Sequence, residues 1–153
     1  MASTLTVDNI VGATAAGNVH IPGGVVQVVS ANYSTLVTSA STTWVDTGLS
    51  CAITPKFSNS KIMILVDQNG RNESNWMGYR MLRDTLSIKG TNFYLYDSNS
   101  TNNSSISFNF LDSPNTISQI TYKTQFMRAQ NSNNVKVNDN SAPATILLME
   151  IAQ

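Results

Sequence analysis

The stretch Thr43–Gly70, TWVDTGLSCAITPKFSNSKIMILVDQNG, decides the fold of this chain. Its first part is rich in Thr, Val and aromatic residues, as strands are. Leu49, Cys51 and Ile53 alternate with small side chains, which is the period of a half-buried strand. Pro55 ends the strand because proline has no N–H for a ladder.

The second part of the same stretch predicts a partner strand. Ser58–Ser60 supplies turn residues. Lys61–Asp67 is an apolar run with no polar face, and such strands are usually covered on both sides. Asn69-Gly70 is a strong turn signal. We therefore predict a hairpin, and we expect the rest of the chain to pack around Ile62, Ile64 and Val66.

Strand patterns continue along the chain. The clearest is Gln119–Gln130, where alternate residues are predicted to share one buried face: Ile120, Tyr122, Thr124 and Phe126. The other predicted strands are Val25–Ser30, Leu36–Thr38, Trp76–Leu82, Leu86–Lys89, Phe93–Tyr96, Ser105–Phe110, Val135–Val137 and Thr145–Ile151. About eight to ten strands with regular turn signals and no helical period predict an all-β fold, an antiparallel β-sandwich or jelly roll.

The first 24 residues differ from the rest. They hold two short β-like pieces around a stretch of small residues and cannot close a core alone. We predict an extended N-terminal arm at 1–24 and a β-sandwich domain at 25–153, with a hinge at Pro22-Gly23-Gly24. The arm residues predicted to anchor and assemble the protein are the apolar ones: Leu5, Val7, Ile10, Val19 and Ile21.

The composition argues against several partners. Of 153 residues only 12% are charged, and the nine positive and nine negative residues balance. Ser, Thr and Asn make up about a third of the chain instead. We therefore expect neither nucleic-acid binding nor membrane insertion, and no signal peptide is recognisable. The single cysteine, Cys51, is predicted to be a buried, inert thiol.

No constellation for catalysis or metal binding is visible, and we expect no enzyme activity and no cofactor. The one histidine, His20, lies in the arm, whereas a catalytic triad needs a histidine in the core domain. Three copies of His20 around a trimer axis are an alternative metal site. The Asn138-Asp139-Asn140 stretch has oxygen ligands but lacks the full loop of a calcium site. The nine carboxylates form no pair by local spacing.

Two polar stretches, Gly70–Asn75 and Asp97–Ser105, are predicted to be exposed outer loops. Their candidate binding residues are Arg71, Asn72, Trp76, Asn99 and Asn102. Some aromatic side chains are candidates for a carbohydrate platform, although core and interface roles are the commoner use. These are Tyr33, Trp44, Trp76, Tyr79, Phe93, Tyr94 and Tyr96. The nearby arginines 71, 80 and 83 are expected to be solvated.

Four segments resemble a family of small bacteriophage virion structural proteins, the tail-fibre-like or fibre proteins of marine and cyanobacterial phages. They are STLTVDNIVGATAAGNVHIPGGVVQVV (3–29), WVDTGLSCAITPKFSNSKIMILV (44–66), FLDSPNTISQITYKTQF (110–126) and VNDNSAPATILLMEI (137–151). Together they span nearly the whole chain except 70–105. Each motif consists of strand and turn residues with a structural role, and none indicates a mechanism.

The resemblance implies a virion protein made in the host cytoplasm and assembled as a homotrimer with an anchoring N-terminal segment. Its other partners would be tail or capsid proteins and a host-surface glycan or protein. The first functional hypothesis is a fibre- or knob-like protein that contacts the host surface. The alternative is a capsid decoration (cement) protein held to the head by its arm. A third class, a depolymerase, lacks a visible acid pair.

Overall fold

The computed structural model describes Val7, Ile10, Val11 and residues 21–73, 76–96, 101–130 and 133–153. Ten strands and one short 3-10 helix at Asp139–Ser141 follow one another. The strands are β1 (Val25–Tyr33), β2 (Val37–Ser39), β3 (Val45–Ile53), β4 (Lys61–Glu73), β5 (Trp76–Arg83), β6 (Leu86–Tyr96), β7 (Thr101–Asp112), β8 (Ile120–Gln130), β9 (Val135–Val137) and β10 (Ala144–Ile151).

The strands form two antiparallel sheets that pack face to face. In the six-stranded sheet the order is β1-β10-β4, with β7 on the other side of β4 and with β9 and β2 beside the second half of β4. The four-stranded sheet has the order β3-β8-β5-β6. This confirms the predicted all-β sandwich.

Alternation places the core between the sheets, as a period of two requires. Ile62, Ile64 and Val66 of β4 are buried in one cluster with Leu49 and Ile53 of β3. The predicted face of β8 is confirmed, since all four of its residues are at most 6% exposed: Ile120, Tyr122, Thr124 and Phe126. Cys51 is also buried, as predicted.

The predicted hairpin of β3 and β4 is wrong. The two strands are consecutive but lie in different sheets: β3 pairs with β8, and β4 pairs with β10, β7 and β9. The connection 54–60 therefore crosses from one sheet to the other. Glu150 of β10 fixes this crossing, because its Oε1 accepts hydrogen bonds from the backbone N–H groups of Lys56 (2.8 Å) and Phe57 (3.2 Å).

Two further local predictions are overturned. Asn69 and Gly70 do not turn the chain but lie within β4, because β7 pairs along that whole segment and β9 pairs beside it. Nor is β4 covered on both faces by the described part of the chain, since Leu65 is 40% exposed. The predicted pieces Leu86–Lys89 and Phe93–Tyr96 form one strand, β6.

Gly48 marks an irregularity in β3. Its φ of +89° is a backbone conformation that glycine adopts without strain. An added Cβ at this position would overlap the ring of Tyr33 in β1. The pairing of β3 with β8 shifts register between Asp46 and Ser50. Gly48 thus lets the edges of the two sheets approach each other at this point.

A polar network crosses the core near Gln68 of β4. Gln68 donates to Asn138 (3.0 Å) and accepts from Thr124 (3.1 Å) and from Tyr79. Asn138, which is left-handed with φ +58°, donates to the carbonyl of Thr35 at 3.0 Å. Because buried polar groups must be paired, this network fixes the short strands at the far half of β4.

Candidate assembly surface

The outward face of the six-stranded sheet carries an apolar row across four strands. Val28 of β1 lies opposite Met149, Met149 opposite Met63, and Met63 opposite Leu111 of β7. Directly opposed residues point to the same face. Val28 is 52% exposed and Leu111 43%, while the two methionines between them are half-buried. The row is thus open to water from edge to edge.

A second apolar pair, Leu147 and Leu65, lies beside this row and is also in register. Residues around the pair line an open depression of about 500 Å³: Leu65, Val66, Asp67, Ser107, Phe108, Asn109, Thr145 and Leu147. Single exposed apolar residues are ordinary, but a contiguous apolar patch on a sheet face marks an interaction site. We name Val28, Met63, Leu65, Leu111, Leu147 and Met149 the apolar face.

The apolar face is bordered on β4 by a charged side chain at each end. Towards the end of β10, the apolar residues Val25 and Ile151 continue the face, and Ile151 lies opposite Lys61. At the other end Asp67 accepts hydrogen bonds from the hydroxyls of Ser105 (2.6 Å) and Ser107 (2.8 Å). These hydrogen bonds lower the pKa of Asp67, so that it stays charged in this border.

The outward face of the four-stranded sheet has a different character. Gln125 accepts from Arg80 (2.6 Å) and donates to Asp46 (2.5 Å), which also pairs with Lys123 at 2.9 Å. Burial raises the pKa of Asp46, but hydrogen bonds from Gln125 and Lys123 outweigh it and lower the pKa overall. These side chains make the described part of this face a hydrogen-bonded polar surface.

The structure describes three of the five arm residues that are predicted to anchor and assemble the protein. Val7, Ile10 and Ile21 are 48%, 57% and 57% exposed, and Val11 is 59% exposed. Leu5 and Val19 lie outside the described residues. Within the described chain, the apolar arm side chains therefore have little cover. Their role in anchoring stays a prediction.

The predicted outer-loop residues are placed differently from expectation. Arg71 and Asn72 lie in β4 rather than in a loop, because β7 and β9 pair on either side of them. Asn72 is 1% exposed, and Asn102 lies opposite it in β7. Trp76 begins β5 and is half-buried. Asn99 lies outside the described residues.

The arginines near these positions are held by partners, contrary to the expectation that they are solvated. Arg71 pairs with Asp139 at 2.7 Å and with Glu73 at 3.1 Å. Arg83 pairs with Asp112 at 2.7 Å, and Asp112 also accepts the hydroxyl of Tyr122 at 2.8 Å. The Arg71 pair joins β4 to the 3-10 helix, and Asp112 of β7 joins its sheet to β5 and β8 of the opposite sheet.

The aromatic candidates offer no clear sugar platform. The guanidinium of Arg80 lies 4.5 Å from the ring centroid of Trp44 and covers that face of the ring. Tyr79 is 2% exposed and Tyr33 is half-buried against Gly48. The side chains of Phe93, Tyr94 and Tyr96 lie outside the described part of the chain.

The candidate metal ligands Asn138 and Asp139 and the thiol of Cys51 all lie within the described residues. Among the described residues no group of three His, Cys, Asp or Glu side chains stands together. Asp139 is engaged by Arg71, and Asn138 by Gln68. Burial raises the pKa of the Cys51 thiol, which opposes formation of the reactive thiolate. Within the described ranges, no helix has the length and hydropathy that a bilayer crossing requires.

The apolar face was missed at the sequence level, although its signal was present. Lys61–Asp67 and Thr145–Ile151 carry apolar side chains on both faces, and for Lys61–Asp67 this predicts cover on both sides. In the structure, the described chain covers only the inward-facing side chains of these strands. The outward-facing side chains of Met63, Leu65 and Met149 are left open to a partner.

No family model and no curated protein matches this chain. Among solved structures, infectious bursal virus derived T=1 particles match 83% of the chain at 12% identity with a TM-score of 0.48. The infectious bursal disease virus VP2 subviral particle matches 83% at 10% identity and 0.46, and the Gt strain 100% at 10% identity and 0.45. The chain spans 36%, 37% and 43% of those three proteins. TM-scores this low carry no inference, so the fold rests on the sheet pairing described above.

Proposed function

We propose that this chain is a bacteriophage virion structural protein, not an enzyme, whose β-sandwich forms a homotrimer displayed on the particle and contacting the host surface. One observation carries the proposal: a sheet face whose central row is apolar on four adjacent strands and open to water. A stable monomer gains nothing from such a face, whereas burial in an assembly removes it from water.

The residues that carry the resemblance to phage fibre proteins support the virion part of the proposal. Gly48 of the WVDTGL motif lies at the irregularity against Tyr33. Asp112 of the LDSP motif holds Arg83 and the next strand through Tyr122. Glu150 of the LMEI motif holds the crossing between the sheets. Each motif thus has a structural reason in this fold, which supports a shared architecture.

The two ends of the sandwich support display. Gly23 and Gly24 exchange backbone hydrogen bonds with Ala152, which places the arm at the Lys61 end of β4. β4 then runs 13 residues to Glu73, a span of about 40 Å at the usual rise per residue. The predicted outer residues around Trp76 and Asn102 therefore lie at the end opposite the arm. An arm held on the particle would present that end outward.

Host contact would involve many weak sites. Three copies in each trimer and several trimers on a particle convert weak single-site binding into useful avidity. A neutral surface rich in hydroxyl and amide groups suits a glycan or a protein loop better than a polyanion.

An electron cryomicroscopy map of the intact particle that carries this chain tests the proposal. We expect trimers on the tail or its fibres, with the Glu73 end pointing outward. A particle that lacks the protein should adsorb to its host more slowly. Normal adsorption without the protein would remove the host-contact role.

We propose capsid decoration as the second candidate. The observation that favours it is the combination of an open apolar face with exposed apolar side chains in the arm, since both suit a clamp over neighbouring shell subunits. In that case the same map would show trimers on the capsid lattice, and particles without the protein would lose their genome at lower temperature. Density on the tail would exclude it.

A further inference from the structure

We propose that the arm of each copy lies across the apolar face of the next copy, and that this exchange closes the ring of three. The inference rests on the assembly part of the proposed function and gives the apolar face one occupant, residues 1–21 of a second copy. Its test separates arm exchange from other ways of forming a trimer.

The apolar face needs an extended occupant. The exposed residues run in one line across four strands, from Val28 on one edge to Leu111 on the other. Four strands span about 14 Å between the outer axes. Along β4 the charged residues Lys61 and Asp67 stand at either end of Met63 and Leu65, so the apolar stretch on that strand is two outward residues long. A face this short along the strand fits a single extended chain better than a second whole sheet.

The arm has the matching composition. Its described side chains Val7, Ile10, Val11 and Ile21 are each about half exposed, so the isolated chain leaves both surfaces open at once. Between residues 1 and 24 the only carboxylate is Asp8. Lys61, at the Val25 end of the apolar face, has no ion pair within the described part of the chain. Asp8 of the arm and Lys61 of the face are therefore complementary in charge.

A tight turn lies where the arm joins its own sheet. Gly24 N–H donates to the carbonyl of Ile21 at 2.8 Å, with Pro22 and Gly23 between them and Gly23 at φ +79°. This is the pattern of a type II turn. Type II turns splay the flanking segments instead of continuing a two-stranded ladder. The turn also lies beside Val25, at the border of the apolar face.

The geometry of exchange suits a closed ring. An arm that leaves one copy and lands on a different surface of the next is a heterologous contact, and such contacts close into a ring of three when the rotation between copies is one third of a turn. The 14 residue steps from Val7 to Ile21 reach about 45 Å when extended. That is enough to cross to a neighbour and still span its four strands.

Disulfide trapping between two differently tagged chains tests the exchange. One chain carries Val7→Cys and the other Leu65→Cys, and the two are co-expressed and oxidised. We expect a disulfide between unlike chains in most of the sample. The matched control replaces Leu65→Cys by Ser50→Cys, an exposed outward position on the four-stranded sheet. The native chain, whose only thiol is the buried Cys51, reports the background.

A single chain with both Val7→Cys and Leu65→Cys distinguishes the occupants. Exchange links the chains covalently into species of two and three. An intrachain disulfide that runs as a monomer in denaturing gels would show that the arm covers its own sheet, and this would overturn the proposal. Equal trapping at Ser50→Cys would overturn it as well, because the contact would be unspecific.

The oligomeric state separates this inference from the proposed function. Deletion of residues 2–20, or Leu65→Asp, should reduce the mass in light scattering from three chains to one, while Ser50→Asp leaves three. Circular dichroism of each variant checks that the sheets remain folded. A trimer that survives both changes overturns arm exchange but leaves the trimer in place. A native chain that is itself monomeric overturns both.

Discussion

Glu150 connects the two sheets, and its replacement by alanine should be among the most damaging single changes in the chain. The side chain is fully buried at the end of the core. Its Oε1 accepts the backbone N–H groups of Lys56 and Phe57, and its Oε2 accepts Gln27 Nε2 at 2.6 Å. Alanine removes all three acceptor interactions and leaves the crossing from β3 to β4 without its anchor.

The size of the effect follows from the hydrogen bonds that are lost. Gln27 keeps a second acceptor, the carbonyl of Thr54 at 2.7 Å, so it contributes little to the loss. The bonds from the backbone N–H groups of Lys56 and Phe57 go to a charged carboxylate, and such hydrogen bonds contribute about 1.5–3 kcal/mol each. We therefore expect Glu150→Ala to lower the free energy of unfolding by about 4 kcal/mol, a large part of the 5–15 kcal/mol typical of a domain.

Equilibrium unfolding in urea measures this value by linear extrapolation. All variants are compared at one protein concentration, because oligomerisation shifts apparent stability. Glu150→Gln is the first control, since its carbonyl still accepts both backbone N–H groups, and it should cost about 1–2 kcal/mol. Gln27→Ala is the second and should cost about 1 kcal/mol.

The reasoning would be refuted if Glu150→Ala cost less than about 1 kcal/mol, the worth of one ordinary hydrogen bond. It would also be refuted if Glu150→Gln and Glu150→Ala were equally unstable, since the carbonyl acceptor would then be irrelevant. In either case the crossing would be fixed by apolar packing rather than by the carboxylate.

Three further outcomes are expected. Gly48→Ala should lower the unfolding free energy by about 2–4 kcal/mol, because a positive φ costs about 1–2 kcal/mol and the Tyr33 ring must also move; an unchanged urea midpoint would contradict this. Arg71 hydrogen bonds lower the pKa of Asp139 below 3.8, so its contribution is complete above that pH and is lost as the pH falls through the folded pKa. The stability difference between native and Asp139→Asn should therefore stay constant from pH 7 down to about pH 5 and shrink as the pH falls below 3.8, and a difference that stays constant down to about pH 2 would contradict it. Cys51 should react with a thiol reagent at pH 8 only as fast as the chain unfolds, and rapid labelling of the folded protein would show that its burial is wrong.

Local sequence patterns were enough to predict the positions of most strands. The alternation in β8 identifies its buried face because side-chain direction in a strand depends only on position along that strand. The same reasoning places Cys51 in the core. Trp76–Leu82 fits a strand or a helix by pattern alone, and it is predicted as a strand because the segments around it along the chain are strands and no helix cap or period is visible.

Local sequence patterns did not predict which strands pair with each other. Hydrogen bonds between strands join residues far apart in sequence, as in the contact of β10 with β4. A strong turn signal at Asn69-Gly70 is overridden because pairing with β7 and β9 satisfies the backbone on both sides. The same pairing moves Arg71 and Asn72 from a predicted loop into a strand.

The candidate assembly surface could be predicted from the sequence only in part. Sequence alone predicts an apolar arm that must pack against something else, because a short segment cannot close a core. It could not identify the apolar face, since that surface exists only when β1, β10, β4 and β7 lie side by side.

The sequence by itself determined the all-β class, most strand positions and the inward residues, because each depends on the two-residue period of a single strand. Only the tertiary structure decided that β3 and β4 belong to opposite sheets and that Val28, Met149, Met63 and Leu111 form one row. The physical reason is that registers between distant strands are set by the packing of the whole core, which no short stretch of sequence contains.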